Sequence, residues 1–324
     1  MADLSAAWLA ELTRFDPPKT LAAPPDWDEA VQVLAHHGLG PIAAYNLQYR
    51  MPGADAPDYA KDLLLGFFQG ASGDNVFKFV TIKSSIGSLE GVHVVLLDSV
   101  AFADQLYPHV AFRPIPDLRL LVRPQDVPVL VEAMREEKFV EVESDEPDPD
   151  QPAVVLYNDR FYARLYTSIL PNEREVSGLF ERAVPAKVLG PAVSRLSAED
   201  ALLVHVLSLA RRGFAVPLIQ LVDLREMVQG EAPAAFRGGP GAKVDPVLLK
   251  QRAKAFGVEN ALWAAMEVLA FFHPAVAAQA RALQPDVNFA TRKLLETAVV
   301  QPAHDFMRER QLKVTAKLQQ LLIG

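Results

Sequence analysis

The stretch LLDSVAFADQLYPHVAFRPIPDLRLLVR, residues 96–123, decides the fold class of this 324-residue chain. It predicts a strand, a tight turn, a short helix, a loop and a second strand, because apolar runs of strand length stand at both ends. Side chains alternate along a strand, so Asp117, Arg119 and Leu121 share one face of the second strand while leucines and a valine fill the other. A polar face beside an apolar face at the start of a strand indicates a site, although an ordinary exposed strand edge has the same pattern.

The segments around this stretch extend it into a mixed sheet. A helix is predicted between the second strand and residue 139, and the last two strands are predicted to form a hairpin around Asn158-Asp159. The predicted strands are VHVVLL (92–97), LRLLV (118–122), FVEVE (139–143), AVVLY (153–157) and FYARLYTSI (161–169).

Helical periodicity dominates both ends of the chain. Residues 57–90 are compatible with one long helix that has Gly70 and Gly73 as candidate breaks. The tail predicts helices at 198–212, 217–229, 246–256, 259–272, 288–299 and 303–322, with a loop at 230–246. The sequence therefore predicts an α+β fold in which an α/β region (91–195) lies between helical regions 1–90 and 196–324.

Composition excludes several classes of protein. The chain has no cysteine, which rules out disulfides, thiolate metal sites and a cysteine nucleophile. Its 32 basic and 40 acidic residues give a net charge of −8, which disfavours a nucleic-acid partner. Neither a secretory signal nor a membrane-spanning run is found in the sequence, so we expect a cytoplasmic protein without a membrane partner.

Two local features have competing interpretations. The acidic stretch from Glu141 to Asp150 is a candidate calcium loop or a surface for a basic partner, but its prolines favour a solvated strand connection. His205 lies on an apolar helix face, and the absence of further ligands at metal-binding spacing favours a core histidine bonded to a neighbour over a metal ligand.

Several segments in this order resemble the bacterial uncharacterised nucleotidyltransferase family, which belongs to the polymerase-β-like superfamily. The resemblance covers most of the chain and rests on no single motif. The segments that carry it are AVQVLAHHGLGPIAAYNL, GVHVVLLDSVAFADQLYP, RPIPDLRLLVRPQDVPVLVEAMREEKFVEVE, ARLYTSILP and LSAEDALLVHVLSLARR with LIQLVDLREMV.

The resemblance implies that the strand at 161–169 lies beside the strand at 117–122, and it implies two-metal nucleotidyl transfer in active members. Two carboxylates at D-x-D on one strand and a third on a neighbouring strand hold Mg²⁺, and the turn after the first strand cradles phosphate. In this chain Asp117 matches the first carboxylate, whereas Arg119 and Arg164 stand where the second and third are expected. Tyr166 replaces the family histidine, and Asp98-Ser99 replaces Lys-Gly in the turn.

These departures predict a nucleotidyltransferase fold that has lost two-metal catalysis and acts as a binding, regulatory or scaffold protein, with no metal or cofactor. Arg113, Arg119 and Arg164 could then form a metal-free anion or nucleotide site. Alternatively, Arg119 and Arg164 form structural ion pairs with Asp117 and other acids. The alternative is an active enzyme that uses Mg²⁺ and a nucleoside triphosphate through Asp98 with Asp117. The partner, whether a protein or a small molecule, stays open.

Overall fold

Four helices form the first part of the chain. A computed structural model describes residues 5–24, 26–143, 148–186, 188–229, 243–304 and 316–323. Asp26 caps the second helix by accepting from the backbone N–H groups of Asp28 and Glu29. The fourth helix runs through Gly70 and Gly73 without a break. The helices are α1 (Ala6–Leu12), α2 (Trp27–His36), α3 (Gly40–Tyr45), which continues as a π-helical turn over Asn46–Arg50, and α4 (Asp58–Ser85).

The central region contains a seven-stranded mixed sheet in the described residues, which confirms the α+β fold. Its order is β3-β4-β5-β2-β1-β7-β6. The elements are β1 (Val94–Leu97), α5 (Asp98–Gln105), β2 (Leu118–Val122), α6 (Val127–Glu136), β3 (Val140–Glu141), β4 (Val154–Tyr157), β5 (Tyr162–Tyr166), α7 (Val176–Glu181), β6 (Val184–Pro185) and β7 (Val193–Arg195).

The pairing of the strands confirms the predicted neighbours. β2 pairs antiparallel with β1 and parallel with β5, and β4 and β5 form the predicted hairpin. All four residues of β1 are buried, as expected for an apolar run at the centre of a sheet. The sequence missed β6 and β7, because strands of two and three residues are too short for a periodic pattern.

Helices form the described part of the tail. Ser197 caps the first of them by accepting from Asp200 N–H. The predicted helix at 303–322 and the loop at 230–246 lie partly outside the described residues. The elements are α8 (Ala198–Arg211), α9 (Ile219–Gln229), α10 (Pro246–Phe256), α11 (Glu259–Phe272), α12 (Ala277–Ala282), α13 (Phe289–Leu295), which continues as a π-helical turn over Glu296–Val300, α14 (Gln301–Ala303) and α15 (Ala316–Leu322).

One core connects these parts, and it contains apolar side chains from α1 through to α15. Among the described helices, none is both long and apolar enough to cross a membrane.

A buried asparagine on α4 holds the segment that leads into β2. Asn75 Nδ2 donates to the carbonyl oxygens of Val110 and Arg113, both at 2.7 Å, and its Oδ1 accepts from Ile115 N–H at 3.1 Å. Buried backbone groups need partners, and this single side chain satisfies three of them. The long helix therefore sets the position of the chain just before Asp117.

We expect Asn75→Ala to lower the free energy of unfolding by about 3 kcal/mol, because it leaves three buried backbone groups without partners. Urea denaturation followed by circular dichroism measures the change. Gln69→Ala, at an exposed position of the same helix, is the matched control and should stay near the wild-type value. An Asn75→Ala protein as stable as this control would contradict the anchoring role.

Candidate functional site

Most of the predicted site residues line one cleft with a volume of about 590 Å³. Tyr166 does not line it, but its hydroxyl donates at 2.7 Å to Asp148, which does. The predicted residues that line the cleft are Asp98, Ser99, Arg113, Asp117, Arg119 and Arg164.

The sheet register explains this convergence. Arg119 on β2 stands opposite Leu97 on β1 and opposite Arg164 on β5. Directly paired residues on neighbouring strands point to the same face, so the two arginines lie side by side. Asp98 comes directly after β1 and enters the same region.

Asp98 also turns the chain from β1 into α5. Its φ of 51° lies in the left-handed region, which aspartate and asparagine enter more readily than other residues with a side chain. Ser99 follows as a buried residue of α5. The turn therefore places the Asp98 carboxylate at the C-terminal end of β1, where Arg119 contacts it.

The guanidinium of Arg119 contacts four carboxylates. Its Nε lies 3.3 Å from Asp117 Oδ2, and its Nη2 lies 2.7 Å from Asp148 Oδ2. Its Nη1 reaches Asp98 Oδ2 at 3.3 Å and Asp150 Oδ2 at 3.0 Å. The fork of donors on a guanidinium suits such multiple contacts, whereas a lysine ammonium lacks this geometry.

Three more arginines complete the cluster. Arg164 Nε donates to Asp117 Oδ2 at 2.9 Å, Arg211 Nη1 donates to Asp150 Oδ1 at 2.5 Å, and Arg212 Nη2 donates to Asp150 Oδ2 at 3.1 Å. Four arginines thus face four aspartates, and their formal charges cancel (+4 − 4 = 0). Ion pairs of Arg119 and Arg164 with Asp117 are one of the two alternatives that the sequence left open. We call these eight residues the arginine–aspartate cluster.

The acidic stretch differs from its prediction as a solvated strand connection. Asp148 and Asp150 have side chains only 5% and 7% exposed, and both bind arginines of the cluster. Burying a charge is unfavourable unless it is paired, and these arginines supply the pairing. Asp145 and Glu146 of the same stretch lie outside the described residues.

Arg113 borders the cleft, but its guanidinium is bound to another carboxylate. Its Nε lies 2.9 Å from both oxygens of Asp223 on α9, and Tyr107 donates its hydroxyl to Asp223 Oδ1 at 2.6 Å. Asp223 is fully buried, so this charged pair fixes α9 against the loop before β2. The pair leaves Arg113 poorly placed to bind an anion in the cleft.

His205 on α8 is buried, as expected for a core histidine, and its Nε2 lies 2.8 Å from the carbonyl oxygen of Gln220. A carbonyl oxygen only accepts, so Nε2 carries the proton in this bond. The other ring nitrogen, Nδ1, faces Asp98 Oδ1 at 3.9 Å. The histidine therefore also borders the cleft, which its apolar helix face did not predict.

The charges of the cluster shift several pKa values. Burial alone would raise the pKa of Asp98, but the His205 ring and the Arg119 guanidinium outweigh it and hold that pKa below its ordinary value of 3.8. Asp148 behaves in the same way, since Arg119 and the Tyr166 hydroxyl outweigh its burial and lower its pKa. Burial, together with the bond to Asp148, raises the pKa of Tyr166, so the phenol stays protonated.

The arginines of the cluster can bind an anionic group, but the cluster does not resemble a metal centre. In the described ranges, no group of three or more His, Asp or Glu side chains could hold a metal ion. The guanidinium groups of Arg119, Arg164 and Arg212 all border the cleft. Such groups bind phosphate or carboxylate oxygens.

Sequence reasoning missed five residues that build the site: Asn75, Asp148, Asp150, Arg211 and Arg212. The two aspartates stand in the densest acidic stretch of the chain, and the two arginines end a helix. These stretches show that charged residues are present, but no spacing rule connects Asp150 with Arg211 and Arg212, which lie 61 and 62 positions away. Asn75 gave no signal, because a polar residue on a long helix is ordinarily exposed.

The lowered pKa of Asp98 predicts how its contribution to stability depends on pH. Its folded pKa lies below 3.8, so the ionised carboxylate stabilises the fold above pH 3.8, and this stabilisation is lost as the pH falls through the folded pKa. We expect Asp98→Asn to cost about 2 kcal/mol at neutral pH, with the cost shrinking towards about pH 2. Denaturant unfolding across this range measures it.

The matched control is Asp16→Asn, because the Asp16 side chain is 91% exposed and the change should cost little at any pH. A cost of Asp98→Asn that stays constant across the pH range would contradict an ionised Asp98 paired with Arg119.

We compared the chain with models of known protein families, with curated proteins and with solved structures. The model of a family described as uncharacterised nucleotidyltransferases matches residues 23–272. This range is more than half of the chain, and it includes the whole sheet and the arginine–aspartate cluster. Neither curated proteins nor solved structures gave a significant match. The chain belongs to the uncharacterised nucleotidyltransferase family.

Proposed function

We propose that this protein is a nucleotidyltransferase-fold binding protein that has lost two-metal catalysis and recognises an anionic ligand without a metal ion. One observation carries the proposal: the Arg119 guanidinium lies within 3.3 Å of carboxylate oxygens of Asp98, Asp117, Asp148 and Asp150. The positively charged Arg119 side chain therefore lies where the fold would hold its metal ions.

The side chains around Asp117 do not fit two magnesium ions. Mg²⁺ needs near-octahedral oxygen ligation, with carboxylates open towards it. Here Asp117 Oδ2 accepts from both Arg119 and Arg164. A metal ion beside Arg119 would also meet its positive charge at contact distance, a repulsion of several kcal/mol at about 4 Å. This supports a cleft that works without metal.

The arginines favour an anion as the ligand. Arg119 and Arg164 lie on β2 and β5, Arg212 directly follows α8, and all three border the cleft. A phosphate or carboxylate group of a ligand offers the same oxygens that Asp148 and Asp150 now supply. The ligand would therefore bind by replacing these internal carboxylates. The affinity should be modest, since one set of charge-assisted hydrogen bonds is exchanged for another.

Removing Arg119 tests the replacement of metal by arginine. We expect Arg119→Ala to lose about 4 kcal/mol of unfolding free energy, because four neighbouring carboxylates lose a shared partner. Millimolar Mg²⁺ or Mn²⁺ should restore part of this loss, since the freed carboxylates become cation ligands. Wild-type protein should show no such metal dependence. Thermal unfolding with and without the metal measures both effects.

Arg174→Ala, at an exposed position outside the cleft, is the control for a lost arginine and should behave as wild type. If divalent ions raise the melting temperature of wild type as much as that of Arg119→Ala, arginine does not stand in for a metal.

Binding of ATP and of pyrophosphate tests the ligand class. We expect calorimetry to give the same dissociation constant in EDTA as in Mg²⁺, and Arg212→Ala to weaken binding about tenfold, because a charge-assisted contact is lost. No label should pass from any nucleoside triphosphate to protein, RNA or small molecules. Magnesium-dependent binding or transfer that Asp117→Ala abolishes would instead establish the active enzyme.

A further inference from the structure

The long helix α4 carries an apolar stripe that faces away from the core. The exposed fractions of Tyr59, Leu63, Phe77 and Val80 are 48%, 54%, 36% and 58%. Isolated exposed apolar residues are common on protein surfaces, but these four share one stripe on a single helix. The inner side of the same helix is used within the chain, where it includes the buried Asn75.

The stripe has the spacing of a coiled-coil seam. Its positions alternate by four and three residues along the whole helix, which is the heptad pattern of two helices that pack side by side. The series covers eight positions, or four heptads: Tyr59, Leu63, Gly66, Gly70, Gly73, Phe77, Val80 and Ser84.

The three glycines at the centre of the seam have no role in packing within the chain. Apart from the chain neighbours and the nearby backbone of α4 itself, no atom of the described residues lies within 4 Å of the place where a Cβ on Gly66, Gly70 or Gly73 would be. Glycine weakens a helix interior relative to alanine, so three on one exposed face are unfavourable without a compensating contact. Glycine allows another backbone to approach closely, and the heptad spacing indicates that this backbone is a helix.

The pattern is complementary to itself when a second copy runs antiparallel. The seam then pairs Leu63 with Val80, Gly66 with Phe77 and Gly70 with Gly73 of the other copy. The ring of Phe77 meets the notch at Gly66, and the two helices cross closest at Gly70 and Gly73. A parallel pair would place large side chains on large ones and glycine on glycine, which leaves voids between the helices.

Charges beside the seam favour the same orientation. Asp62 and Lys83 are both exposed and flank it near opposite ends of the helix. In the antiparallel pair each Asp62 stands next to Lys83 of the other copy, and symmetry makes this contact twice. Arg160 borders the seam on the other side, where it pairs with Asp74 at 3.8 Å and lies over the Phe77 ring.

We infer that α4 is the dimer interface of this protein, formed by antiparallel packing of its Tyr59–Ser84 seam against the same seam of a second copy. The seam lies on the side of α4 opposite the buried Asn75 that anchors the segment before Asp117, so two copies would each keep a complete site. The inference does not depend on the ligand of the cleft or on the loss of catalysis.

A charge-reversal cycle on the full chain tests both the surface and the orientation. Sedimentation equilibrium over a concentration series should show a monomer–dimer equilibrium for wild type. Asp62→Lys and Lys83→Asp should each raise the dimer dissociation constant about tenfold, because each makes two attractive contacts repulsive. The double variant Asp62→Lys/Lys83→Asp should return to near the wild-type constant.

Gly70→Arg supplies an independent test at the crossing point. It should give a monomer at every concentration. Its melting temperature should be no lower than that of the Val129→Arg control, since arginine is a better helix former than glycine. Val129→Arg replaces an exposed apolar residue on α6 and should still dimerise. Circular dichroism confirms that each variant is folded.

Three results would overturn the inference. They are a wild-type chain that stays monomeric at all concentrations, a dimer that survives Gly70→Arg, and single charge reversals that the double variant does not rescue. The last result would leave an interface on α4 but exclude the antiparallel pairing proposed for it.

Discussion

The need to neutralise one partly buried guanidinium organises the centre of this protein. Arg119 stands in the middle of the sheet, where an unpaired charge would be very unfavourable. Its four aspartates come from the start of α5, the segment before β2 and the loop between β3 and β4. Arg211 and Arg212 at the end of α8 then bind the loop carboxylates. The sheet, the acidic loop and the tail helices are thus held together by one network of charges.

In the function that we propose, this network lets a cleft of the nucleotidyltransferase fold work without metal ions. Carboxylates that converge in one place repel each other unless a positive charge lies between them. The resemblance implies that a metal ion supplies that charge in active members, and we propose that the Arg119 side chain supplies it here. Such a charge would be permanent, because a guanidinium neither dissociates like an ion nor loses its proton.

The helix α4 connects the cleft to the surface. On its inner side Asn75 satisfies three backbone groups of the segment that ends at Asp117. On its outer side three glycines at heptad spacing lie between large apolar residues towards the two ends of the helix. The two sides have different requirements: the inner side needs exact hydrogen-bond geometry, while the outer side needs room for another backbone.

Local patterns in the sequence were sufficient for the α+β fold and the central strands, because these depend on side-chain periodicity and on residues close along the chain. The family resemblance supplied the placement of Arg164 beside Asp117 and Arg119. The partners of Arg119 in the β3–β4 loop, the arginines of α8 and the Arg113–Asp223 pair were decided only by the tertiary structure. Charges interact through space, so an aspartate 61 positions from its arginine leaves no trace in local spacing.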